Sequence, residues 1–182
     1  MQIIDIINGA LIKIGANPIL SLTADTKEAR LASTRLTPVV DIVLRLHPWS
    51  CVKKQAVLQA TTTPPLVDYV YSLPLPSDFL RLVKIDQSDY MKMANAICCD
   101  SARAEITYIA RPESLIFLDS LCAETVSCYL AWDICYPITQ SNDLVQLCWK
   151  AYLHSLKQAR FVNAIENPAG VYDCDVITQE HN

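Results

Sequence analysis

Residues 27–59, KEARLASTRLTPVVDIVLRLHPWSCVKKQAVLQ, contain the change of pattern that decides the fold. From Ala29 onward, apolar side chains recur at steps of three and four, which is the spacing of one helix face. We predict a helix over residues 27–46 that ends before Pro48, because a residue that precedes a proline avoids the helical region. Beyond it, Val52–Gln59 has the composition of a β-strand. A helical segment therefore gives way to a β region within this stretch.

A second helix precedes the first, and both have recognisable ends. Asp25 or Thr26 is placed to cap the N-terminus of the helix over 27–46. Pro38 lies inside its apolar stripe, so we expect this proline to kink the helix or to split it. Upstream, residues 2–15 show the same helical spacing, and Gly15 is the residue type that commonly follows a helix end.

Downstream, the β region extends to about residue 111 and is followed by more helix. Its predicted strands are Val52–Gln59, Tyr69–Leu73, Phe79–Ile85 and Glu105–Ala110, with Tyr90–Asp100 as a further candidate. Helical spacing returns at about residue 113 and predicts a third helix that Pro137 ends. Ser141 or Asn142 is placed to cap a fourth helix that runs to about Asn167.

The fourth helix has apolar residues on two sides, which indicates that both sides are buried. One stripe contains Leu144, Cys148, Ala151, Ser155, Ala159 and Val162. We assign the other stripe to an interface between subunits, and it consists of Val145, Trp149, Tyr152 and Leu156.

This order of elements predicts a mainly α fold with a β insertion. Its core is a four-helix bundle, with a small antiparallel β subdomain between the second and third helices. We expect a single domain over residues 1–168, in which the bundle takes residues 1–48 and 113–168 and the β insertion takes residues 50–111. Residues 169–182 form a polar C-terminal tail.

The composition indicates surface that is hidden by other chains. The chain has 182 residues, of which 52% are apolar and 19% charged, whereas a soluble domain carries about 25% charged residues. With a net charge of −4, it shows no basic face of the kind that binds nucleic acid. No apolar run is long enough for a transmembrane helix, and no signal peptide is evident, so we expect synthesis in the cytoplasm.

The residues that usually carry chemistry are few or scattered. Only three glycines are present, which excludes the glycine-rich phosphate loops. Three histidines and eight cysteines lack the spacings of metal-binding motifs, and six- and seven-residue spacings among some cysteines suit a helix face. We therefore predict buried, reduced thiols, with no catalytic residue, no metal site and no cofactor. A cysteine nucleophile with a histidine base elsewhere in the fold stays open as an alternative.

Several short motifs occur in a familiar order. The chain opens with Asn8, Leu11, Ile14-Gly15 and Pro18, which is similar to N-x-x-L-x-x-I-G-x-x-P. The later motifs are Pro48-Trp49, Ala56-x-Leu58, Tyr69-x-Tyr71-x-Leu73-Pro74, Asp78-Phe79-Leu80-Arg81, Tyr108-Ile109 and Leu130-Ala131. From about Ile6 to Ala169, this order resembles the tail tubular protein A group of short-tailed phages, which are head-to-tail adaptors.

The resemblance implies a structural virion protein without catalysis or cofactor. It implies a dodecameric ring that joins the portal protein to the tail nozzle or other tail proteins, at the portal vertex of the virion. Genomic DNA would pass through the lumen without sequence-specific binding, and no membrane is involved. A head-completion or stopper protein of a long-tailed phage or of a gene transfer agent is the alternative within this class. A small cytosolic enzyme with a cysteine nucleophile is the distant one.

The C-terminal tail is the predicted portal-binding segment. Its apolar residues are Val171, Tyr172, Val176 and Ile177, beside Asp173, Asp175 and Glu180. Such a mixture suits a segment that becomes ordered along a partner, with anchors in pockets and charges at the rim. In related adaptors the C-terminal region contacts the portal, so the resemblance implies the same role.

Overall fold

The computed structural model describes residues 2–62, 65 and 68–167. The helices are α1 (Ile3–Lys13), α2 (Lys27–Leu46), α3 (Ser120–Thr139) and α4 (Asn142–Glu166). The strands are β1 (Lys53–Gln59), β2 (Tyr71–Pro74), β3 (Phe79–Ile85), β4 (Met91–Met93), β5 (Ala96–Cys99) and β6 (Arg103–Ala110). Single-turn 3-10 helices lie at Ser50–Val52 and Leu115–Phe117. None of the described helices has the length and apolar character needed to cross a membrane.

The helix starts are set by short polar side chains that satisfy the first free N–H groups. The hydroxyl of Thr26 accepts from the backbone N–H of Ala29 at the start of α2. Asp119 Oδ1 accepts from Leu121 and Cys122 at the start of α3, which places this helix later than the predicted residue 113. Ser141 Oγ does the same for α4.

Two prolines lie inside helices that continue past them. α2 is one uninterrupted helix with Pro38 in it, so the expectation that this proline splits the helix is wrong. α3 likewise contains Pro137 and ends at Thr139, not at the proline. A proline within a helix costs about 3 kcal/mol. In α2, burial of Val39 and Val40 directly after Pro38 offsets that cost.

α3 is the centre of the helical part. α1, α2 and α4 each pack on it more extensively than α1 packs on α2. Its buried residues accordingly lie on several sides, as the consecutive buried residues Val126, Ser127 and Cys128 show. Three helices arranged on a central one replace the predicted four-helix bundle.

The strands form two antiparallel sheets, with orders β1-β6-β3 and β2-β5-β4. The predicted strand over Tyr90–Asp100 is in fact the hairpin β4–β5, which turns at Ala94 with φ of 43°. Pro74 lies in β2, which is an edge strand of its sheet. The missing backbone N–H of this proline therefore takes no hydrogen bond from the middle of a sheet.

The predicted fold class is therefore wrong. The structure is mixed α+β, with 51% helix, 20% strand and two three-stranded sheets, in place of a mainly α chain with one small β subdomain. The reason lies in the C-terminal end of β6, where consecutive apolar residues are buried on both faces. Ile109 belongs to the core of the helices, together with Leu80 of β3. Ile106 and Tyr108 belong to a second core between the sheets. The sheet β1-β6-β3 thus packs on the helices as a second layer of the same core.

Candidate functional site

The predicted interface residues of α4 lie against the chain's own core. Tyr152 and Leu156 are 2% and 8% exposed, and Val145 and Trp149 pack partly buried against the same core. The ring of Trp149 lies 4.9 Å from that of Trp132, between centroids. The ring of Tyr152 meets Tyr129 edge to face at 5.0 Å. The structure therefore packs these four residues against the chain's own core, and they form no exposed stripe.

A different set of apolar residues on α4 is exposed. We call it the α4 outer face, and it consists of Leu147, Phe161 and Ile165. Leu147, Phe161 and Ile165 are 62%, 67% and 60% exposed. Their separations are close to whole numbers of helical turns, so the three side chains lie along one line of the helix. The sequence already shows this spacing. The prediction, however, considered only two other stripes of α4, and those stripes contain its core residues.

A second exposed apolar surface lies in the β part. Tyr90, Met91 and Met93 are all exposed at strand β4, and we call them the hairpin surface. Met91 and Met93 share one face of the strand because side chains alternate along it. Strand β4 pairs with β5, whose buried residue Ile97 belongs to the second core. The two exposed surfaces thus belong to different packing units of the molecule.

Polar contacts fix the C-terminal half of α4. Asn163 Oδ1 accepts hydrogen bonds from the backbone N–H and the hydroxyl of Ser50, over 3.0 and 2.8 Å. Its Nδ2 lies 2.9 Å from Nε2 of His47. Arg160 Nη2 donates to the carbonyl of Leu46 over 3.1 Å. These contacts tie α4 to the junction between α2 and β1, and they hold Phe161 in its outward position.

Two basic residues, Arg35 and Lys54, have carboxylate partners on other elements of the fold. Arg35 makes a two-pronged contact with Asp133 of α3, with N–O distances of 2.6 and 3.0 Å. Lys54 Nζ lies 2.7 Å from Asp78, which also accepts from the hydroxyl of Tyr108. These pairs connect elements of the fold. The same positively charged groups would be needed to bind a phosphate, and here they are paired with carboxylates.

The thiols along the α3–α4 interface are held in their neutral form. Burial raises the pKa of Cys128 to about 11, and burial likewise raises the pKa of Cys148 to about 11. Because the thiolate is the nucleophile, a thiol with so high a pKa reacts slowly at neutral pH. Both residues line a groove of about 350 Å³ between the two helices. The described cysteines have no disulfide partners.

One group of side chains has the donors of a metal site. Cys51, Asp119 and Cys122 each bring one ligand atom to within 4.8 Å of the other two. Cys51 belongs to the 3-10 turn before β1, whereas Asp119 and Cys122 lie at the start of α3. The sequence does not reveal this group, because its members are far apart in the chain and match no short spacing.

The predicted portal-binding residues Val171, Tyr172, Val176 and Ile177 lie outside the described residues. No model of a known protein family matches the chain, and no curated protein is similar enough to count as a relative.

Proposed function

We propose that this chain is a structural subunit of a phage head-to-tail adaptor ring, which joins the portal to the tail nozzle and lines the DNA channel. The observation that carries the proposal is the presence of two separate exposed apolar surfaces, the α4 outer face and the hairpin surface. A ring is closed by head-to-tail contacts, and such contacts need two different surfaces on each subunit. A chain with only 19% charged residues suits this use.

The motif behind the family resemblance has an architectural role that supports the proposal. Asn8 bonds both backbone groups of Ile19: its Nδ2 donates to the carbonyl, and its Oδ1 accepts from the N–H. Gly15 takes a left-handed conformation with φ of 71°, which favours glycine. Leu11 is fully buried. The residues of the opening motif thus act together to form one turn, the turn between α1 and the loop that follows it.

A second motif also links parts of the fold. Asp78 follows Leu73-Pro74 and joins Lys54 of β1 to Tyr108 of β6. Three residues later, Arg81 donates to the carbonyl of Arg45 at the end of α2. Because these contacts connect the sheet to the helices, the motif spans both layers. A rigid connection between layers suits a subunit that must transmit force between a head and a tail.

The proposal includes the partners that the resemblance implies. The chain would form a dodecamer with itself and bind the portal protein on one side and tail proteins on the other. DNA would pass through the lumen without sequence-specific contacts, for which a net charge of −4 gives mild repulsion. The protein would be made in the host cytoplasm and reside in the virion, and it would need no cofactor.

Imaging tests this function. Purified chain is mixed with heads that carry the portal but no adaptor, and the portal vertex is examined by electron microscopy. We expect a ring of twelve subunits beneath the portal and, after addition of tail proteins, completed particles. A protein that stays a dispersed monomer and is absent from the vertex of native particles contradicts the proposal.

The proposed role of the C-terminal tail has its own experiment. Deletion of Gly170–Asn182 should leave the circular dichroism of the protein helical, while docking on portal-bearing heads is lost. The full-length chain is the control in the same mixture. If the truncated protein completes heads at the normal yield, the tail has no part in portal binding, and the ring proposal is tested by imaging alone.

A further inference from the structure

The donors of Cys51, Asp119 and Cys122 converge at a junction between the layers of the fold. Each contributes a ligand atom, and all three atoms lie within 4.8 Å of one another. Cys122 is fully buried and Cys51 is partly exposed. In a tetrahedral zinc site, with metal–sulfur distances of about 2.3 Å and metal–oxygen distances of about 2.0–2.2 Å, donors lie somewhat closer together than this. Small side-chain adjustments therefore suffice to close the donors on an ion.

Asp119 can act as a ligand without giving up its role as the helix cap. Its Oδ1 accepts the backbone N–H groups of Leu121 and Cys122, over 2.9 and 3.0 Å. The cap uses this oxygen alone, and the carboxylate has a second one. The N-terminus of α3 also places the positive end of the helix dipole at Cys122, which favours a thiolate.

We propose that Cys51, Cys122 and Asp119 bind one zinc ion, with water as the fourth ligand. Two thiolates and a carboxylate form a donor set that zinc accepts and that calcium and magnesium do not favour. Cys51 also lines a cavity of about 400 Å³, together with Ala110, Glu113 and Phe117. This cavity supplies the route for the ion and the space for the water.

The thiols of Cys51 and Cys122 are hydrogen-bonding neighbours, as two ligands of one ion must be close together. Hydrogen bonding with Cys122 lowers the pKa of Cys51 below its ordinary value. The same hydrogen bond, together with burial, raises the pKa of Cys122 above its ordinary value.

Bound zinc would connect the turn before β1 to the first turn of α3. These segments belong to the sheet layer and to the central helix, so the ion would stabilise the packing of one on the other. The inference does not depend on the adaptor proposal, because it rests on these three side chains alone.

Metal titration of the reduced full-length chain tests the site directly. Zn²⁺ binding is measured by equilibrium dialysis and elemental analysis, and Cd²⁺ is added as an optical probe of thiolate ligation. We expect one Zn²⁺ per chain, a sulfur-to-cadmium charge-transfer band, and a melting temperature that rises with zinc concentration. The absence of both stoichiometric zinc and the cadmium band in the reduced, unsubstituted protein overturns the proposal.

Three variants assign the ligands. Cys51→Ser and Asp119→Asn should each lower zinc affinity by at least about tenfold, since loss of even an outer-sphere partner costs that much. Asn retains the helix-capping ability of Asp119, so that variant separates ligation from folding. Cys148→Ala is the matched control, because Cys148 also neighbours another thiol, that of Cys135. Equal loss of binding in Cys148→Ala contradicts the assignment.

Discussion

Nδ2 of Asn163 donates a hydrogen bond to Nε2 of His47 over 2.9 Å, so this nitrogen of the imidazole carries no proton. Ser50 decides the direction, because its backbone N–H and its hydroxyl both donate to Oδ1 of Asn163 and leave the amide nitrogen facing His47. Burial lowers the pKa of His47 to about 4, and the positive charge of Arg160 contributes to the same shift. The folded state therefore holds this histidine neutral.

This contact makes stability depend on pH. Between the folded pKa of about 4 and the ordinary 6.5, the unfolded chain binds a proton at His47 that the folded chain does not. Stability from this group is thus complete above about pH 6.5 and is lost as the pH falls toward 4. With a discount for partial exposure, we expect a loss of about 1–3 kcal/mol.

Urea denaturation at about pH 7 and about pH 4.5 measures this loss. His47→Gln should show a smaller decrease over that interval than the unsubstituted chain, since glutamine does not titrate. His154→Gln is the control, because His154 is exposed on α4 and makes no comparable contact with Asn163. Equal pH dependence in all three proteins would show that His47 does not carry the effect.

Neighbouring residues on α4 should differ sharply in their contribution to stability. Tyr152 is buried and contacts the rings of Tyr129 and Trp149, whereas Leu153 is exposed. Tyr152→Ala should lower the free energy of unfolding by about 3–5 kcal/mol because it leaves a cavity in the core. Leu153→Ala should change it by about 0.5 kcal/mol or less. Thermal and urea denaturation of the two variants check this, and similar losses in both would contradict the placement of Tyr152.

Gly9 marks a close approach of α1 to α3. A β-carbon added there would lie 2.8 Å from Oγ of Ser127, and that hydroxyl already donates to the carbonyl of Ile6. Alanine is the better helix former by about 1 kcal/mol, but the overlap costs about 1–3 kcal/mol. We therefore expect Gly9→Ala to lower stability.

The Gly9 prediction has an internal control. Adding Ser127→Ala to Gly9→Ala removes the overlapping oxygen, so the double variant should be more stable than the two single effects summed. A double-mutant cycle by urea denaturation gives this coupling. A Gly9→Ala protein that is more stable than the unsubstituted chain would mean that the helices separate at little cost.

The α4 outer face should serve assembly without serving the fold. Phe161→Glu places a charge in the middle of an apolar contact, which leaves it without a partner when buried. We expect loss of the ring, seen by sedimentation and electron microscopy, with the melting temperature within a few degrees of the unsubstituted chain. Gln146→Glu adds the same charge at another exposed position of α4 and should assemble normally. Normal rings from Phe161→Glu would exclude this face as a contact.

Local features of the helices could be predicted because they depend on neighbours in the chain. The helix over 27–46 agrees with α2, and Gly15 and Ser141 act as the predicted helix stop and cap. The interior prolines could not be treated correctly in this way, because the burial that offsets their cost comes from distant residues. The fold class failed for a related reason. A strand such as β6, which ends in a run of apolar residues, is compatible with one core or two, and only its neighbours in space distinguish them.

What the sequence by itself determined was the approximate position of most elements and the low charge of the surface, since propensity, capping and composition are local or additive. Only the tertiary structure decided which apolar side of α4 faces α3. It placed Tyr152 inside and Phe161 outside, although both lie on apolar stretches of the same helix. It also brought Cys51 to Cys122, a pairing that no spacing rule predicts. In both cases the outcome depends on how α3 packs against the sheet and α4, and packing is a property of surfaces that meet only after the chain has folded.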